Sequence, residues 1–387
     1  MVEFKDKTIL VLTNSYPDRD GRHYGGIFVK EQVDRLREYF GEVYVISPQP
    51  FGTNKILQDY QYENVRVFFP RFFHLPVGYF RKRLGNNFFK AALKVIKKEG
   101  LEFDIIHAHF TWPSGYAGAL LKKSLGKPLV VTGHGYDVYD LPFRDKTWFR
   151  GVKFALDSAD HVITVSNRNR EILVEKLGVP VGKVSVIPNG FDSNLFKPLD
   201  KAKAKRKLGL PLDKKIVLNV ANLVPVKGHE FLVRAMVDVL KVRRDILLVV
   251  VGDGPLRGKL EGLVKKLGLS EYVKFVGARP HDEIPLWMNA ADLFVLPSLR
   301  EGNPTVMFEA LGVGLPFVGT SVGGVPEVIK SEDYGLLCPP ADAKCLAEKI
   351  LSGLTKVWDT RKIVRYATQY CWLNILDTIL RLYLLHW

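Results

Sequence analysis

Two acidic residues, Glu301 and Glu309, are separated by seven residues in a segment that directly follows a strand-like run. Between them, Asn303 followed by Pro304 is typical of a helix start. We therefore predict that Glu301 precedes a helix and that Glu309 lies within it. The two carboxylates would then reach different parts of one ligand rather than share a metal. The free amides of the first turn would suit an anion such as a diphosphate.

A second candidate is Lys227, which stands with Gly228 in a turn between a strand-like run and a helix. A cation at the start of a helix is unfavourable in the field of the helix dipole, and a bound anion would relieve this. Lysine supplies a compact positive charge of the kind that binds phosphate. The alternative interpretation is a solvated lysine.

The first half of the chain has two similar features. Gly25 and Gly26 follow a strand and loop and open a helix, where the lack of side chains lets a phosphate or sugar approach the backbone. His107 and His109 end a strand and share one of its faces, because side chains alternate with a period of two. We expect His107 to be a core histidine and His109 to lie nearer a ligand.

Further turns follow other strand-like runs. One turn contains His134 and Asp137, and Asp137 could either serve the site or cap the next segment. The others contain Gly252, Arg279 and Gly323. The residue types of each turn are common in turns in general. Several such turns that each follow a strand together predict a ligand site at the carboxyl ends of the strands.

The elements that position these residues alternate between short apolar runs and longer helical segments, as in βαβ units. A helix is predicted at 27–39, and strands at 8–13, 43–47, 65–69, 105–107, 129–132, 161–165, 184–187, 216–221, 246–251, 273–276, 293–296 and 316–318. A break at 188–198 separates two series. We predict two doubly wound, Rossmann-like α/β domains facing across a cleft, at 1–195 and 196–369, with a helix at about 370–387 returning to the first.

Composition is compatible with two globular domains. The chain has 387 residues, 47% hydrophobic and 25% charged, with a formal net charge of +15 that indicates an anionic partner. Its cysteines, Cys338, Cys345 and Cys371, lack metal-binding spacing, and the N-terminus lacks the pattern of a signal peptide. Both features predict a cytoplasmic protein.

The segment 297–320, with Glu301 and Glu309, resembles the EX7E segment of retaining glycosyltransferases of the GT-B fold, glycosyltransferase family 4. The resemblance extends over nearly the whole chain. It implies a hexosyltransferase that uses a nucleotide diphosphate sugar, with UDP or GDP the expected nucleotide, and a lipid-linked or glycan acceptor. It implies retention of the anomeric configuration and a donor held without a metal or other cofactor.

The resemblance also implies roles for single residues. Glu301 would bind donor-sugar hydroxyls, Glu309 the ribose and Lys227 the diphosphate, while Asn222 stands where the family usually has an arginine. Arg279 or Arg300 would compensate for that loss. The full donor-binding set is Gly25, Gly26, Asn222, Lys227, Gly252, Arg279, Glu301, Thr305, Val306 and Glu309.

In the first domain, the resemblance places His109 near the reacting carbon and His134 and Asp137 on the acceptor side. The catalytic set is then His109, Glu301 and Lys227, with no covalent nucleophile. Two other functions stay open on the residues alone: a nucleotide-sugar epimerase of the same architecture, and a basic nucleic-acid-binding protein. The early glycine turn with Glu301 argues against the first.

The stretch 65–98 combines basic and aromatic residues and has no acidic residue. This composition is typical of surfaces that contact anionic lipid headgroups, and it predicts a peripheral association with the inner face of the membrane. The alternative is a solvated basic helix whose aromatic side chains belong to the core. No recognised nucleic-acid module surrounds the stretch, so we expect no nucleic-acid partner.

Overall fold

The computed structural model describes residues 4–20, 25–52, 56–74 and 81–386. It forms two compact units, Met1–Asn189 with Trp372–Trp387 and Gly190–Cys371. The sequence placed the first boundary at residue 195. The backbone divides earlier because Phe191 and Phe196 lie in the core of the second unit, and the Phe191 amide donates to the Tyr370 carbonyl at 3.2 Å.

Unit 1 is built on an eight-stranded sheet with the strand order β10-β9-β8-β7-β1-β2-β5-β4. All neighbouring strands are parallel except the edge pair β4 and β5. A separate pair joins β3 and β6. The bounds are β1 Phe4–Leu12, β2 Phe40–Ile46, β3 Gln49–Pro50, β4 Tyr60–Tyr62, β5 Val65–Phe68, β6 Arg71–Phe72, β7 Ile105–His109, β8 Leu129–Gly133, β9 His161–Thr164 and β10 Val184–Val186.

Helices cover both faces of this sheet, so the central strands are buried and apolar. The helices of unit 1 are Ile27–Leu36, Leu84–Lys98, Tyr116–Leu125, Tyr136–Tyr139, Lys146–Ser158, Asn167–Glu171 and Trp372–Leu384, with irregular turns at Thr111–Gly115, Leu141–Phe143, Ile172–Lys176 and Val181–Lys183. The last helix is fixed at both ends. Trp372 Nε1 donates to Glu31 Oε2 at 2.9 Å, and Tyr383 Oη lies 2.6 Å from His107 Nδ1.

Unit 2 has a six-stranded parallel sheet with the order β13-β12-β11-β14-β15-β16. Its strands are β11 Lys215–Val220, β12 Ile246–Val251, β13 Val273–Gly277, β14 Leu293–Leu296, β15 Phe317–Thr320 and β16 Gly335–Cys338. Its helices are Lys201–Lys207, His229–Val242, Arg257–Lys266, Ile284–Ala290, Thr305–Gly312, Val325–Val328, Ala343–Thr355 and Thr360–Ala367, with short turns at Pro225–Lys227, His281–Glu283 and Thr368–Tyr370.

The predicted fold class is confirmed: both units are Rossmann-like α/β sheets whose strand order reverses beside the first strand. The predictions missed four strands, β3, β4, β6 and β16. β3 and β6 have only two residues each. β4 is a three-residue antiparallel edge strand with a polar centre, and β16 is a four-residue strand that starts with glycine. None of the four is long enough to show a clear period.

Most of the described phenylalanine side chains of the stretch 65–98 are buried in the core. Phe68, Phe69, Phe72 and Phe88 are buried, whereas Phe73 is exposed. Tyr79 and Phe80 lie outside the described residues. Most of the described aromatic side chains of this stretch therefore belong to the core of unit 1, with Phe72 and Phe88 in one cluster at the helix Leu84–Lys98. Within the described residues, every helix is too short or too polar to span a bilayer.

Candidate active site

Glu301 and Lys227 form the centre of the site in unit 2. Glu301 follows β14 and is 9% exposed, and its Oε1 lies 2.6 Å from Lys227 Nζ. Lys227 ends the short turn after β11. Ser298, fully buried, donates its hydroxyl to the same Glu301 oxygen at 2.6 Å. The carboxylate is thus held between a cation and a hydroxyl at the carboxyl ends of two adjacent strands.

Close backbone contacts fix this arrangement. Gly228 has a φ of 66°, and a Cβ there would lie 2.0 Å from the Pro297 carbonyl oxygen. Gly323 has a φ of 53°, and a Cβ there would lie 1.9 Å from the Glu301 carbonyl oxygen. Both positions need glycine, because other residues disfavour this backbone conformation and no space exists for a side chain.

Replacing Gly323 with alanine should lower the free energy of unfolding by about 2–4 kcal/mol, from backbone strain plus the clash with Glu301. It should also weaken ligand binding, because the Glu301 loop must move. Urea unfolding measures the first effect. Gly262→Ala is the control, since a Cβ at Gly262 meets nothing within 4 Å. It should be neutral or stabilising, and equal losses in both variants would contradict this account.

Glu309 forms a second polar contact, on the helix Thr305–Gly312. Its side chain is 6% exposed, and Oε1 lies 3.1 Å from His281 Nε2. The helix begins one residue later than the sequence suggested: Pro304 occupies the cap position and the helix starts at Thr305. Thr305 and Val306 are therefore its first two residues, half-buried, at the end of the helix where amides are free.

The remaining predicted donor residues follow neighbouring strands of unit 2. Asn222 follows β11 with an exposed side chain, and Gly252 follows β12, its amide donating to the Gly277 carbonyl at 2.9 Å. Arg279 follows β13, with its guanidinium carbon 5.7 Å from the centre of the Trp287 ring. These residues occupy the same edge of the sheet as Glu301, because all its strands are parallel.

In unit 1 the structure brings His109 and His134 together. His109 ends β7 and is fully buried, with Nδ1 3.1 Å from His134 Nε2. Burial lowers the pKa of His134 to about 3 and holds the pKa of His109 well below its usual value. Both rings are therefore neutral near pH 7. His109 Nε2 is buried without a hydrogen-bond partner among the described residues.

His107 is a satisfied core residue. Its Nε2 lies 2.7 Å from Thr132 Oγ1, and its Nδ1 bonds to Tyr383. Burial, followed by the charge of His134, lowers the pKa of His107 to about 3. These contacts agree with the prediction that His107, and not His109, is the core histidine of this strand.

Asp137 is engaged by the backbone. Its carboxylate accepts from the amides of Thr111, His134 and Gly135 at 2.7, 3.0 and 2.9 Å, and the residue is 3% exposed. Of the two roles that the sequence left open, these contacts favour the structural one. Asp137 shapes the loop that presents His134.

Gly25 and Gly26 lie at the start of the helix Ile27–Leu36. Gly26 is its cap residue, and its carbonyl accepts from the Val29 amide at 2.9 Å. The four residues before Gly25 lie outside the described part of the chain. The glycine turn therefore occupies the predicted position, directly before a helix.

Sequence reasoning missed four residues around these contacts: Ser298, Thr320, His281 and His229. Thr320 Oγ1 donates to the Ser298 carbonyl at 2.5 Å. His229 begins the helix after Lys227, and burial, followed by the charge of Lys227, lowers its pKa to about 4. All but His229 end or follow strands of the sheet, and that position was the signal that could have identified them.

Comparison with known proteins gives matches along most of the chain. The profile of glycosyl transferases group 1 matches residues 200–370, and the profile of glycosyltransferase family 4 matches residues 25–195. A putative teichuronic acid biosynthesis glycosyltransferase of Bacillus subtilis, TuaC, is 33% identical over 361 residues, covering 88% of this chain and 88% of the relative.

Solved structures agree on the fold. Sucrose-phosphate synthase from Thermosynechococcus elongatus superposes with a TM-score of 0.81 at 26% identity, covering 97% of this chain and 98% of that one. HepE from Anabaena, solved in complex with UDP, gives a TM-score of 0.74 at 22% identity over 97% of this chain and 98% of its own. The chain belongs to glycosyltransferase family 4 and has the GT-B class of fold.

Proposed function

We propose that this glycosyltransferase moves a hexose from a UDP- or GDP-linked sugar to a glycan or lipid-linked acceptor, with retention of anomeric configuration. The observation that carries the proposal is the contact of Lys227 and Ser298 with Glu301 at the strand ends of unit 2. Family membership favours transfer over the epimerase and nucleic-acid-binding alternatives.

Lys227 is the proposed diphosphate ligand. Its side chain is 23% exposed, and its ammonium group is neutralised here by Glu301. A diphosphate carries more negative charge than one carboxylate and would compete for the same ammonium. Glu301 would then keep the Ser298 hydrogen bond and turn its freed lone pairs toward donor-sugar hydroxyls. Charge on the departing diphosphate would be stabilised by Lys227 and by the amides at Thr305 and Val306.

Glu309 is the proposed ribose ligand. A carboxylate can accept from both hydroxyls of a ribose, and His281 supports it from one side. Gly252 and Arg279, at the ends of β12 and β13, are proposed to line the nucleotide. Asn222 cannot supply the charge of the arginine usual in the family, so Arg279 or Arg300 is proposed to supplement Lys227.

His109 is proposed to contact the donor sugar near the reacting carbon, and His134 to support it. Because both imidazoles are neutral, His109 would act as a hydrogen-bonding group and not as a cationic acid. The leaving phosphate would help to take the acceptor proton. We propose that no metal or other cofactor takes part, since Lys227 and helix amides provide the positive charge.

The proposal of a glycan or lipid-linked acceptor is supported by the names of two relatives. TuaC is described as acting in teichuronic acid biosynthesis, and a D-inositol 3-phosphate glycosyltransferase of Acidothermus cellulolyticus is 30% identical over 302 residues.

The proposal of peripheral contact with an anionic membrane is now supported only by the charge of the stretch 65–98. The exposed basic residues beside and on the helix Leu84–Lys98 are Arg81, Lys82, Arg83, Lys90, Lys94, Lys97 and Lys98.

Retention is tested by following donor turnover with proton NMR in the presence of glycan acceptors. With an α-linked UDP-glucose or GDP-mannose donor, the first product should carry an α linkage, in EDTA as in buffer alone. A β-linked first product would contradict retention. Loss of turnover in EDTA, restored by a divalent cation, would contradict the metal-free donor site.

A further inference from the structure

Unit 2 has a cavity of about 290 Å³ at the edge of its sheet opposite the candidate active site. Lys215 begins β11, Asp292 directly precedes β14 and Pro316 directly precedes β15, and all three line the cavity. Glu301 and Gly323 follow the other ends of β14 and β15. At about 3.3 Å per residue, the two sites lie at least roughly 13 Å apart.

The cavity has an excess of positive charge. Asp292 is its one lining carboxylate among the described residues, and the ammonium groups of Lys201, Lys205 and Lys215 lie 3.0, 3.6 and 3.5 Å from it. One negative charge therefore faces three positive charges. Lys205 is only 7% exposed at its side chain, where water screens its charge poorly.

The lysines are held in place around the carboxylate. Asp292 accepts from the Ile216 amide at 2.9 Å, which fixes its position against the sheet. Lys205 donates to the Lys214 carbonyl at 2.7 Å. Lys201 and Lys215 are about half exposed, so their remaining donor hydrogens can reach a ligand. Such ammonium groups are point-charge ligands for phosphate.

An aromatic wall completes the cavity. Trp358 lines it and is held by a hydrogen bond from Nε1 to the Gly353 carbonyl at 2.7 Å. Lys356 lies with its ammonium 4.9 Å from the centre of the Trp358 ring. The volume is near the lower end of the range of small-molecule sites, about 300–1,000 Å³. It suits a small ligand with a charged head and a flat body.

We propose that this cavity is a second binding site, specific for a small phosphate ester. Its phosphate group contacts Lys201 and Lys215, and its ring packs on Trp358. The site is separate from the donor site and does not depend on the proposed reaction.

The test is calorimetric titration with phenyl phosphate and inorganic phosphate, using the full chain carrying Lys227→Ala so that the candidate donor site does not compete. We expect saturable binding of phenyl phosphate. Lys201→Ala with Lys215→Ala should weaken it at least about tenfold, from the loss of two charge-assisted contacts. Lys265→Ala with Lys266→Ala is the control, because it removes the same charge from an exposed helix end and should leave the affinity unchanged.

Equal affinity in the two double variants, or no saturable binding up to about 20 mM ligand, would overturn the proposal. The ring contact is read from the advantage of phenyl phosphate over inorganic phosphate. Trp358→Ala should remove this advantage, with circular dichroism to show that the variant is folded. Inorganic phosphate binding as tightly as phenyl phosphate would overturn the ester specificity. Because the readout is binding, failure of sugar transfer would leave the result interpretable.

Discussion

Replacing Glu301 with glutamine is expected to slow sugar transfer by roughly a hundredfold to a thousandfold, the usual cost of removing one group that stabilises a polar transition state. The change keeps the shape of the side chain and removes its charge. Lys227 would lose its 2.6 Å partner, and the donor sugar would lose an anionic acceptor. The rate is measured as nucleoside diphosphate release with the donor and acceptor that the parent uses.

Binding and control data separate this effect from misfolding. The affinity for the free nucleoside diphosphate should change much less than the rate, because Lys227 becomes more available to it. Glu271→Gln is the control, an exposed glutamate on the same unit whose replacement should leave the rate unchanged. A rate for Glu301→Gln within about threefold of the parent would remove Glu301 from the catalytic set.

Acid should destabilise unit 1 strongly. His107, His109 and His134 are buried with lowered pKa, so between about pH 6.5 and pH 3 the unfolded chain binds more protons than the folded one. Stability therefore falls as the pH falls through this window. Each histidine contributes up to about 1.4 kcal/mol per pH unit once the pH is below the unfolded pKa. Burial raises the pKa of Asp137, which offsets part of the loss.

Urea unfolding between about pH 7 and pH 5 measures this slope. His107→Gln removes one titrating group, and the amide can still bond to Thr132 or Tyr383. Its stability should be lower at pH 7 and less dependent on pH than that of the parent. A parent slope close to zero, or an unchanged slope in the variant, would show that the histidine cluster does not control acid stability.

The fold was largely predictable because parallel sheets give long apolar runs at regular spacing. The runs that became β1, β11 and β12 are buried on both faces, so their composition alone identified them. β3, β4, β6 and β16 were missed because strands of two to four residues are too short to give an apolar run. The domain boundary was placed late since the burial of Phe191 and Phe196 depends on distant residues of unit 2.

The placement of the candidate site residues in the fold was predictable where a turn with a recognisable sequence lay beside a residue able to bind a ligand. Glu301, Lys227 and Gly323 each stood next to a turn whose residue types were readable. Ser298 and His281 were not, because a serine or histidine after a strand is common, and only the fold brings it to a glutamate. Asp137 shows the reverse case: its residue type suited a ligand, but its carboxylate accepts hydrogen bonds from two amides of its own loop and from the Thr111 amide.

The account depends most on the claim that Lys227 and its neighbours bind a nucleoside diphosphate. Calorimetric titration of UDP, GDP and ADP into the parent and Lys227→Ala, with EDTA present, tests this directly. We predict micromolar binding of UDP or GDP by the parent and at least about a hundredfold weaker binding by the variant, from loss of a phosphate-binding charge. Absence of binding by the parent, or equal binding by the variant, would contradict the account.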